Sequence, residues 1–457
     1  MNLETDNKIQ KKGITLVIPN PCGNIKETKM KNSGIEWIGE IPDDWEVSKI
    51  GQLYEERKTK VSDTVYPPLS VTMQGILPQL ETAAKSDAHD DRKLVLKGDF
   101  AINSRSDRRG SCGISEFDGS VSLINTVLHP KTEMNPIYYN WLFHSFRFSD
   151  EYYKNGHGIV DDLWTTSWTE MKKIFIPLPP KETQQRIATY LDKKCSKIEE
   201  TIQNQQQVIE KLKAYKQSLI TEAVTGKVKI ANGKVCGEYE SYKDSGVEYL
   251  GKIPLDWNIK RLRYIGKCQN GISKGGEFFG SGYPFVSYGD VYNNLVLPET
   301  VSGLIESTHE EQKNYSVKAG DIFFTRTSET IEEVGFTSVC LKTIENATFA
   351  GFVIRVRPFT DELIPDYSKY YFSSDAHRRF FVKEMNLVTR ASLSQDLLKR
   401  LPVLIPSKEK QKEIADYLDK KCKAIDTAIE QKQKLIVKLT EYKKSLIYEC
   451  VTGKKEI

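Results

Sequence analysis

The chain has 457 residues, which is too long for one ordinary domain and predicts two or three. Hydrophobic residues make up 39% and charged residues 28%, and no apolar run is long enough for a signal peptide or a membrane span, so we expect a cytoplasmic protein. The net charge of +4 permits nucleic acid as a partner without requiring it, and the eight cysteines form no CxxC pair that would indicate zinc or a disulfide framework.

The sequence contains an internal duplication. The segment KNSGIEWIGEIPDDWEV from Lys31 returns as KDSGVEYLGKIPLDWNI from Lys243. The segment KETQQRIATYLDKKC from Lys181 returns as KEKQKEIADYLDKKC from Lys408, 227 residues later. The stretches between these shared segments look largely unrelated to each other. Each copy therefore has a common start, a private middle and a common helix.

The private middles read as mixed α/β. Runs such as FAINSR from Phe100 and DIFFTR from Asp321 are β-rich, and each middle has an aromatic helix candidate, IYYNWLFHSF or YSKYYFSS. Both close on proline-rich strands, IFIPLPP and LPVLIP, that lead into the common helix. We predict an α+β fold with this division: a tail (1–30), a first mixed domain (31–177), a central helical repeat (178–227), a linker (228–242), a second mixed domain (243–404) and a C-terminal helical repeat (405–457).

The common helices carry an apolar seam with alternating steps of three and four residues. This spacing is typical of a coiled coil, and about 42 residues at 1.5 Å rise make a rod roughly 60 Å long. An amphipathic helix lying on a globular core is the alternative, but the narrow seam on a charge-rich helix favours pairing of the two helices. The apolar seam residues are Leu191, Ile198, Ile202, Ile209, Leu212, Leu219, Leu418, Ile425, Ile429, Ile436, Leu439 and Leu446. Polar residues interrupt the seam at matching positions, namely Gln205, Lys216, Lys432 and Lys443.

Three short patterns match parts of catalytic sites. FxGxG from Phe278 occurs in methyl-donor pockets, but a strand candidate rather than a helix follows it, so we interpret it as a loop. Asp161 followed by ExK from Glu170 matches metal-dependent nucleases, but the pattern is short and common by chance, so we interpret it as a surface charge cluster. TGK from Thr225, repeated from Thr452, lacks the earlier glycine of a phosphate-binding loop and is interpreted as a helix stop. We predict no catalytic apparatus and no metal site.

The motifs together resemble the specificity subunit of type I restriction-modification enzymes. The resemblance rests on SGIEWIGEIPDDW and SGVEYLGKIPLDW, on IPLPPKETQQRIATYLD and LIPSKEKQKEIADYLD, and on LVLKGDFAINSR, YSVKAGDIFFTR and YPFVSYGDV. It covers Lys31 to Lys454 and leaves residues 1–30 outside. It implies two target-recognition domains in a non-catalytic, DNA-binding subunit that acts in phage defence. It also implies two methyltransferase and two restriction subunits as partners, which would hold S-adenosylmethionine, ATP and magnesium, whereas this chain binds no cofactor.

An antiparallel helix pair gives the resemblance a physical rationale. It places the two helix N-termini, each preceded by its own domain, at opposite ends of the rod. A protein built in this way would bind two DNA half-sites, separated by about one helical turn of DNA that it does not read. Because the middles differ, we expect a bipartite, asymmetric target whose spacer is set by the rod. The alternatives are a coiled-coil scaffold that reads no DNA, or the recognition half of a self-sufficient methyltransferase or nuclease.

DNA reading needs basic side chains for phosphates and Arg, Asn or Gln for base edges. The best candidates follow the FAINSR and DIFFTR strands, with further basic residues elsewhere in the middles. The candidate DNA-binding residues are Lys58, Lys60, Asn103, Ser104, Arg105, Arg108, Arg109, Lys274, Thr325, Arg326, Thr327 and Arg390. The aromatic residues in SFRFSDEYYKNG and DLWTTSW could stack on bases, although core packing is the commoner role.

Overall fold

A computed structural model describes residues 29–79, 90–105, 108–158, 164–328, 330, 333–384 and 391–457. Most of the predicted tail therefore lies outside the described residues. The chain divides into two compact units, residues 1–200 with 438–457 and residues 201–437. Among the described residues, no helix combines the length and apolarity needed to cross a membrane.

The chain up to the end of the first long helix is rich in short strands. Its elements are β1 (Met30–Asn32), β2 (Glu40–Pro42), β3 (Glu46–Lys49), α1 (Ile50–Leu53), β4 (Tyr54–Glu56), β5 (Lys60–Val61), β6 (Leu69–Thr72), β7 (Gly75–Pro78), β8 (Arg92–Val95), β9 (Phe100–Asn103), β10 (Cys112–Ile114), β11 (Gly119–Val121), β12 (Asn125–Pro130), α2 (Pro136–Phe143), α3 (Phe146–Lys154), α4 (Trp168–Met171), β13 (Phe175–Leu178) and α5 (Lys181–Val224).

The rest of the chain repeats this plan. Its elements are β14 (Ile230–Ala231), β15 (Lys234–Val235), β16 (Tyr242–Asp244), β17 (Lys252–Pro254), β18 (Asn258–Arg261), β19 (Gly266–Asn270), β20 (Phe279–Val286), α6 (Tyr288–Asn293), β21 (Leu304–Ile305), α7 (His309–Asn314), β22 (Ile322–Thr325), β23 (Thr327–Ser328), β24 (Thr337–Val339), β25 (Thr348–Phe349), β26 (Val353–Pro358), α8 (Pro365–Ser373), α9 (Asp375–Glu384), β27 (Ala391–Ser392), α10 (Gln395–Arg400), β28 (Pro402–Ile405) and α11 (Lys408–Val451).

Each mixed domain contains its own four-stranded antiparallel sheet. The order is β10-β9-β12-β4 in the first unit and β19-β26-β22-β24 in the second, so β9 and β22 hold equivalent central places. Every residue of β9 and of β22 is buried. A strand covered on both faces needs no polar alternation, which explains the continuous apolar runs FAIN and IFFT. The α+β prediction is confirmed, as are the aromatic helices, which form α2 and α8.

A buried glutamine explains the motif that opens each long helix. The Gln184 amide donates to the Pro179 carbonyl over 2.9 Å, and its oxygen accepts the Asn135 N–H at the start of α2. Gln411 repeats both bonds in the second unit, to the Pro406 carbonyl and from the Ile364 N–H. One side chain thus ties the helix start to the closing strand and to the aromatic helix.

The two long helices pair antiparallel, as the seam predicts. All twelve apolar seam residues are buried or half-buried, whereas the residues between them are mostly exposed. In the second unit Lys216 Nζ lies 2.7 Å from both carboxylate oxygens of Asp426. In the first unit Lys443, one repeat later, forms the equivalent ion pair with Glu199. Each of these lysines in the seam therefore has an acidic partner on the other helix.

Each domain also packs on the end of the other copy's helix. In the first unit Tyr138 Oη donates to the Val451 carbonyl over 2.9 Å, and in the second Tyr367 Oη donates to the Val224 carbonyl over 3.1 Å. The TGK segment ends each helix, and Gly453 has a φ of 73°. A Cβ at Gly453 would lie 2.3 Å from Pro42, so glycine permits both the turn and the close approach of the domain. The helix-stop interpretation of TGK is confirmed.

Candidate nucleic-acid interface

The loop after β9 is held by two buried polar side chains. Asn103 Oδ1 accepts the Arg105 N–H over 3.0 Å, and Ser104 Oγ donates to the Ile124 carbonyl over 2.5 Å. Asn103 is 4% exposed and Ser104 is 7% exposed. Both side chains therefore face the protein's own backbone, where they fix the direction of the loop.

Three exposed arginines, Arg105, Arg108 and Arg109, follow these two residues. The Arg109 guanidinium lies over the Tyr153 ring, 4.9 Å from its centroid. Tyr153 Oη in turn donates to the Arg105 carbonyl over 3.2 Å. One tyrosine thus supports the loop backbone and one of its cations, which leaves a basic surface on a fixed frame.

The frame continues into the DLWTTSW segment, which supplies none of the candidate DNA-binding residues and whose aromatic residues the sequence assigned more readily to core packing. The Thr166 N–H donates to the Ser104 carbonyl, and Trp164 Nε1 donates to the Tyr153 carbonyl over 2.8 Å. His157 and Thr165 exchange two backbone hydrogen bonds beside them. A signal existed in the sequence, because tryptophan and threonine are clustered in DLWTTSW. Their contact with FAINSR depends on tertiary packing and could not be read from it.

The second unit has an equivalent loop with different chemistry. The Thr325 N–H donates to the Phe336 carbonyl over 2.8 Å, as the Asn103 N–H does to the Ser111 carbonyl. Thr325 is fully buried, and its hydroxyl accepts the Phe336 N–H over 2.9 Å. Arg326 is half-buried, with its N–H and carbonyl bonded to Phe352 and Leu393.

The remaining predicted residues lie in different settings. Lys58 is exposed, with its amine 3.6 Å from Glu56, and Lys60 lies 2.5 Å from Asp91. The Lys274 side chain is only 15% exposed and pairs with Glu311 at 2.8 Å. That hydrogen bond holds the pKa of Glu311 below its usual value. Thr327 lies in β23, and its carbonyl accepts Tyr288 Oη, whereas Arg390 lies outside the described residues.

Exposed aromatic residues lie on β20, in the segment interpreted from its sequence as a loop. Phe279 is 43% exposed and Tyr283 is 44% exposed, and they flank Gly280 and Gly282, whose φ values are 100° and 97°. The pairing of β20 with β21 is irregular between Phe279 and Tyr283. The glycines therefore serve a bulged strand rather than opening a helix, and the methyl-donor pattern lacks its structural context.

The other catalytic patterns also have structural explanations. Glu170 lies in α4 and accepts a hydrogen bond from Ser167, the residue that caps this helix, and that bond lowers the pKa of Glu170. Asp161 lies outside the described residues. Within the described ranges, no group of three His, Cys, Asp or Glu side chains could hold a metal ion.

The comparisons identify the class of protein. The family model described as the type I restriction modification DNA specificity domain matches residues 42–214 and 254–438, one match in each copy of the repeat. The chain therefore belongs to the type I restriction-modification specificity family. It is a non-catalytic subunit, and the family resemblance inferred from the motifs is confirmed.

Individual relatives agree with this assignment. The chain is 25% identical to the type I restriction enzyme MjaVIII specificity subunit of Methanocaldococcus jannaschii, over 91% of this chain and 93% of that protein. It is 24% identical to the EcoKI specificity subunit of Escherichia coli K12, over 62% of this chain and 58% of that protein.

Solved structures share the fold at low sequence identity. A chain from a study of complex assembly and conformational transition of the type I R-M system matches with a TM-score of 0.70 and 16% identity, covering 91% of this chain and 99% of that one. The HsdS subunit from Thermoanaerobacter tengcongensis matches with a TM-score of 0.51 and 16% identity, covering 91% and 98%.

Proposed function

We propose that this chain reads a bipartite, asymmetric DNA target, one half-site with each mixed domain. The observation that carries the proposal is the pair of equivalent loops after β9 and β22. They leave the same central strand position but present different side chains, three exposed arginines in the first and a half-buried arginine between threonines in the second. Equivalent placement with unequal chemistry is what two different half-sites require.

The predicted site residues divide by exposure into two roles. Side chains that reach the surface can contact phosphates or base edges, and we assign this role to Lys58, Lys60, Arg105, Arg108 and Arg109, together with Arg326 and Thr327 in the second domain. We assign a positioning role to the buried side chains of Asn103, Ser104 and Thr325 and to the half-buried Lys274, because each bonds to its own surroundings. We propose Arg390 as a further phosphate contact on the basis of its sequence alone.

The exposed aromatic residues of β20 extend this surface in the second domain. Phe279 and Tyr283 present large apolar rings to water, which is unfavourable unless a partner covers them. Aromatic rings can contact sugars and bases where the groove is opened. We assign them to the second half-site, beside Lys274, whose amine lies 5.1 Å from the Phe278 ring centroid.

We also propose that the helix pair carries the docking surface for two methyltransferase subunits. Tyr215 is 57% exposed and Tyr442 is 52% exposed, and they occupy the same position of the repeat. An exposed tyrosine repeated on the two helices provides two equal anchors. S-adenosylmethionine, ATP and magnesium would belong to the methyltransferase and restriction subunits. We further propose a cytoplasmic location and the domain division predicted from the sequence.

Methylation mapping tests the proposed function. DNA from cells that express this chain with its methyltransferase partner is sequenced with long reads that detect methyladenine. We expect a bipartite, asymmetric methylated motif that disappears when this chain is deleted. With an active partner and good expression, the absence of a chain-dependent motif would contradict DNA reading and favour a scaffold. Methyl transfer by the purified chain alone would instead contradict its non-catalytic role.

A further inference from the structure

A pocket of about 340 Å³ lies in the second unit beside the loop that follows β22. Tyr292 and Phe336 form its aromatic wall, with ring centroids 5.0 Å apart and ring planes inclined at 62°. Tyr292 is 36% exposed, so part of its ring stays open to solvent at the pocket. The pocket therefore presents aromatic surface that another flat ring can cover.

The aromatic wall is bonded directly to the loop that we assign to the second half-site. The Phe336 N–H donates to the Thr325 hydroxyl over 2.9 Å, and the Phe336 carbonyl accepts the Thr325 N–H over 2.8 Å. Tyr288, one turn before Tyr292 in α6, donates its hydroxyl to the Thr327 carbonyl over 2.9 Å. Both rings of the wall are thus held in place relative to this loop.

Amide and carboxylate groups line another part of the pocket. The amides of Asn293 and Asn294 each donate one N–H to a carbonyl of α6, over 2.9 and 2.8 Å. These bonds orient the two amides, and each amide has a second N–H and an acceptor oxygen. Asp375 Oδ1 accepts a hydrogen bond from Gln217 Nε2 over 2.9 Å, which holds the carboxylate at the pocket. The lining therefore combines hydrogen-bond donors and acceptors in fixed orientations.

Arg378 adds a cation to the pocket, but the protein itself already engages it. The guanidinium lies over the Phe336 ring, 5.0 Å from the centroid, and donates to the Val334 carbonyl. A phosphate bound here would also meet the negative carboxylate of Asp375. A neutral heterocycle with N–H groups and ring nitrogens suits this lining, because its face covers the aromatic rings while its edge meets the amides and the carboxylate.

The first unit has different residues at the equivalent positions. Ser111 takes the place of Phe336, because its carbonyl accepts the N–H at the end of the equivalent central strand. Ser149 takes the place of Arg378 in the helix that follows the aromatic helix. Neither serine can supply an aromatic wall or a cation. The chemistry of the pocket is therefore particular to the second domain, as expected for a feature that reads one of two different half-sites.

We infer that this pocket receives one base of the second half-site, unstacked from the duplex, an inference that rests on the proposed DNA reading. The base stacks against Tyr292 and Phe336. Asn293, Asn294 and Asp375 form hydrogen bonds with its edge. A base that leaves the stack presents its whole Watson–Crick edge, so the second domain can identify it without reaching into a groove. The base is read there without chemical change.

Fluorescent base analogues test this inference on the assembled methyltransferase complex. Methylation mapping supplies the motif, and each base of the second half-site is then replaced by its matched analogue: 2-aminopurine for adenine, 6-methylisoxanthopterin for guanine or pyrrolocytosine for cytosine. Permanganate reactivity reports unstacked thymines. The methylated adenines are left out, because a methyltransferase itself takes its target base out of the stack. We expect one further position whose fluorescence or reactivity rises severalfold when the complex binds.

Variants of the pocket connect this signal to its residues. Tyr292→Ala should abolish the rise and weaken binding by about 5- to 150-fold, because a base loses its aromatic stacking partner. Tyr292→Phe keeps the ring and should keep the signal. Asn293→Ala, at an exposed position, should keep the signal but reduce discrimination at that base pair by about fivefold or more. Tyr264→Ala, at an exposed tyrosine outside the pocket, is the control and should change neither.

A failure of the base pocket differs from a failure of DNA reading. Sequence-specific binding with no such signal, or with a signal that Tyr292→Ala leaves unchanged, would overturn the role of the pocket and leave DNA reading intact. Saturable binding of free nucleosides that Tyr292→Ala abolishes, without any unstacked base in the DNA, would overturn it in favour of a free nucleotide as the ligand. A wild-type complex that selects no DNA sequence would overturn both.

Discussion

Gln205 and Lys432 occupy the same position of the internal repeat, yet they contact each other, with 3.0 Å between Gln205 Oε1 and Lys432 Nζ. Residues one repeat apart can meet in this way only at the centre of an antiparallel pair. The ion pair of Lys216 with Asp426 and that of Lys443 with Glu199 are the same contact in the two copies. Equivalent positions of the two copies therefore meet at this polar pair.

The central polar pair should specify the register of the helices at a cost in stability. A polar residue in a coiled-coil seam fixes alignment but buries less apolar surface than leucine does. We expect the double variant Gln205→Leu, Lys432→Leu to raise the free energy of unfolding by about 1 kcal/mol. Urea unfolding followed by circular dichroism measures this. The control is Gln431→Leu at an exposed position, which should change little. A less stable double variant would contradict the prediction.

Lengthening the helix pair should lengthen the DNA spacer. Insertion of one heptad after Gln206 and one after Gln433, which are equivalent positions, adds about 10 Å of helix and preserves the seam. Because B-DNA rises about 3.4 Å per base pair, we expect the spacer of the methylated motif to grow by up to about three base pairs. Both half-sites should stay the same, and methylation mapping shows this directly.

The controls for the heptad insertion are variants with one insertion only. In these variants one helix is seven residues longer than its partner, so the seam positions no longer match along the whole pair. We expect them to lose DNA methylation in cells or to unfold more easily. Changed half-sites with an unchanged spacer would contradict the ruler role of the helices.

The arginines after β9 should control the first half-site alone. Truncation of Arg105 or Arg109 to alanine should weaken DNA binding by the assembled methyltransferase complex by about 1–3 kcal/mol if the guanidinium contacts a base edge. If the guanidinium contacts a phosphate instead, its loss should weaken binding to all DNA sequences equally. The slope of log binding constant against log salt concentration should then fall in magnitude by about one. Binding titrations at several salt concentrations, with each half-site mutated in turn, distinguish the two.

Lys97→Ala is the matched control for these arginines, because its exposed amine lies in the same domain beside Glu116. It should leave binding nearly unchanged. If Arg105→Ala and Arg109→Ala bind like this control, the assignment of the loop to DNA is wrong.

Much of this architecture could be predicted because the duplication exposes it. A seam repeated at Leu191 and Leu418, with polar interruptions at matching places, is enough to identify the helix pair. Strands such as β9 and β22 are recognisable because their runs are apolar and follow a glycine. The role of Gln184 was not predictable, since its partners Asn135 and Pro179 meet only after the domain folds.

The candidate site was predicted less well, because the sequence does not distinguish exposed from buried polar residues. Asn103 and Arg105 are two residues apart, yet one side chain is buried on its own loop and the other faces water. Lys274 is a basic residue in a variable domain, as a phosphate contact would be, but it is largely enclosed by Glu311 and Phe278. Tertiary packing determines which polar side chains are enclosed and which are exposed and able to contact a ligand.

Acidification should destabilise the second unit through His377. This ring is fully buried, and burial lowers its pKa to about 3, from 6.5. Its Nδ1–H donates to the Ser374 carbonyl over 2.8 Å. Between pH 6.5 and pH 3 the His377 ring is protonated in the unfolded chain but stays neutral in the folded chain. The stabilising effect of the neutral ring is therefore complete above pH 6.5 and falls by about 1.4 kcal/mol per pH unit towards pH 3.

Urea unfolding at pH 7.5 and pH 5.0 measures this dependence. His377→Gln should lower the free energy of unfolding at both pH values. It should also reduce the difference between the two values, because the titrating ring is gone. The exposed His309→Asn should leave the difference as it is. A pH dependence that His377→Gln leaves unchanged would show that another group, such as half-buried His144, is responsible; desolvation lowers the pKa of His144 as well.

The repeated tyrosines should each anchor one methyltransferase subunit. Exposed aromatic residues at an interface centre are common hot spots, whose truncation costs about 2 kcal/mol or more. We expect Tyr215→Ala or Tyr442→Ala to shift the complex with purified methyltransferase from two bound subunits towards one. The double variant should bind no methyltransferase at subunit concentrations close to the wild-type Kd. Mass photometry counts the subunits. Tyr264→Ala, at a 63% exposed tyrosine in the second domain, is the control. Two subunits bound to the double variant with unchanged affinity would contradict the docking proposal while leaving DNA reading untouched.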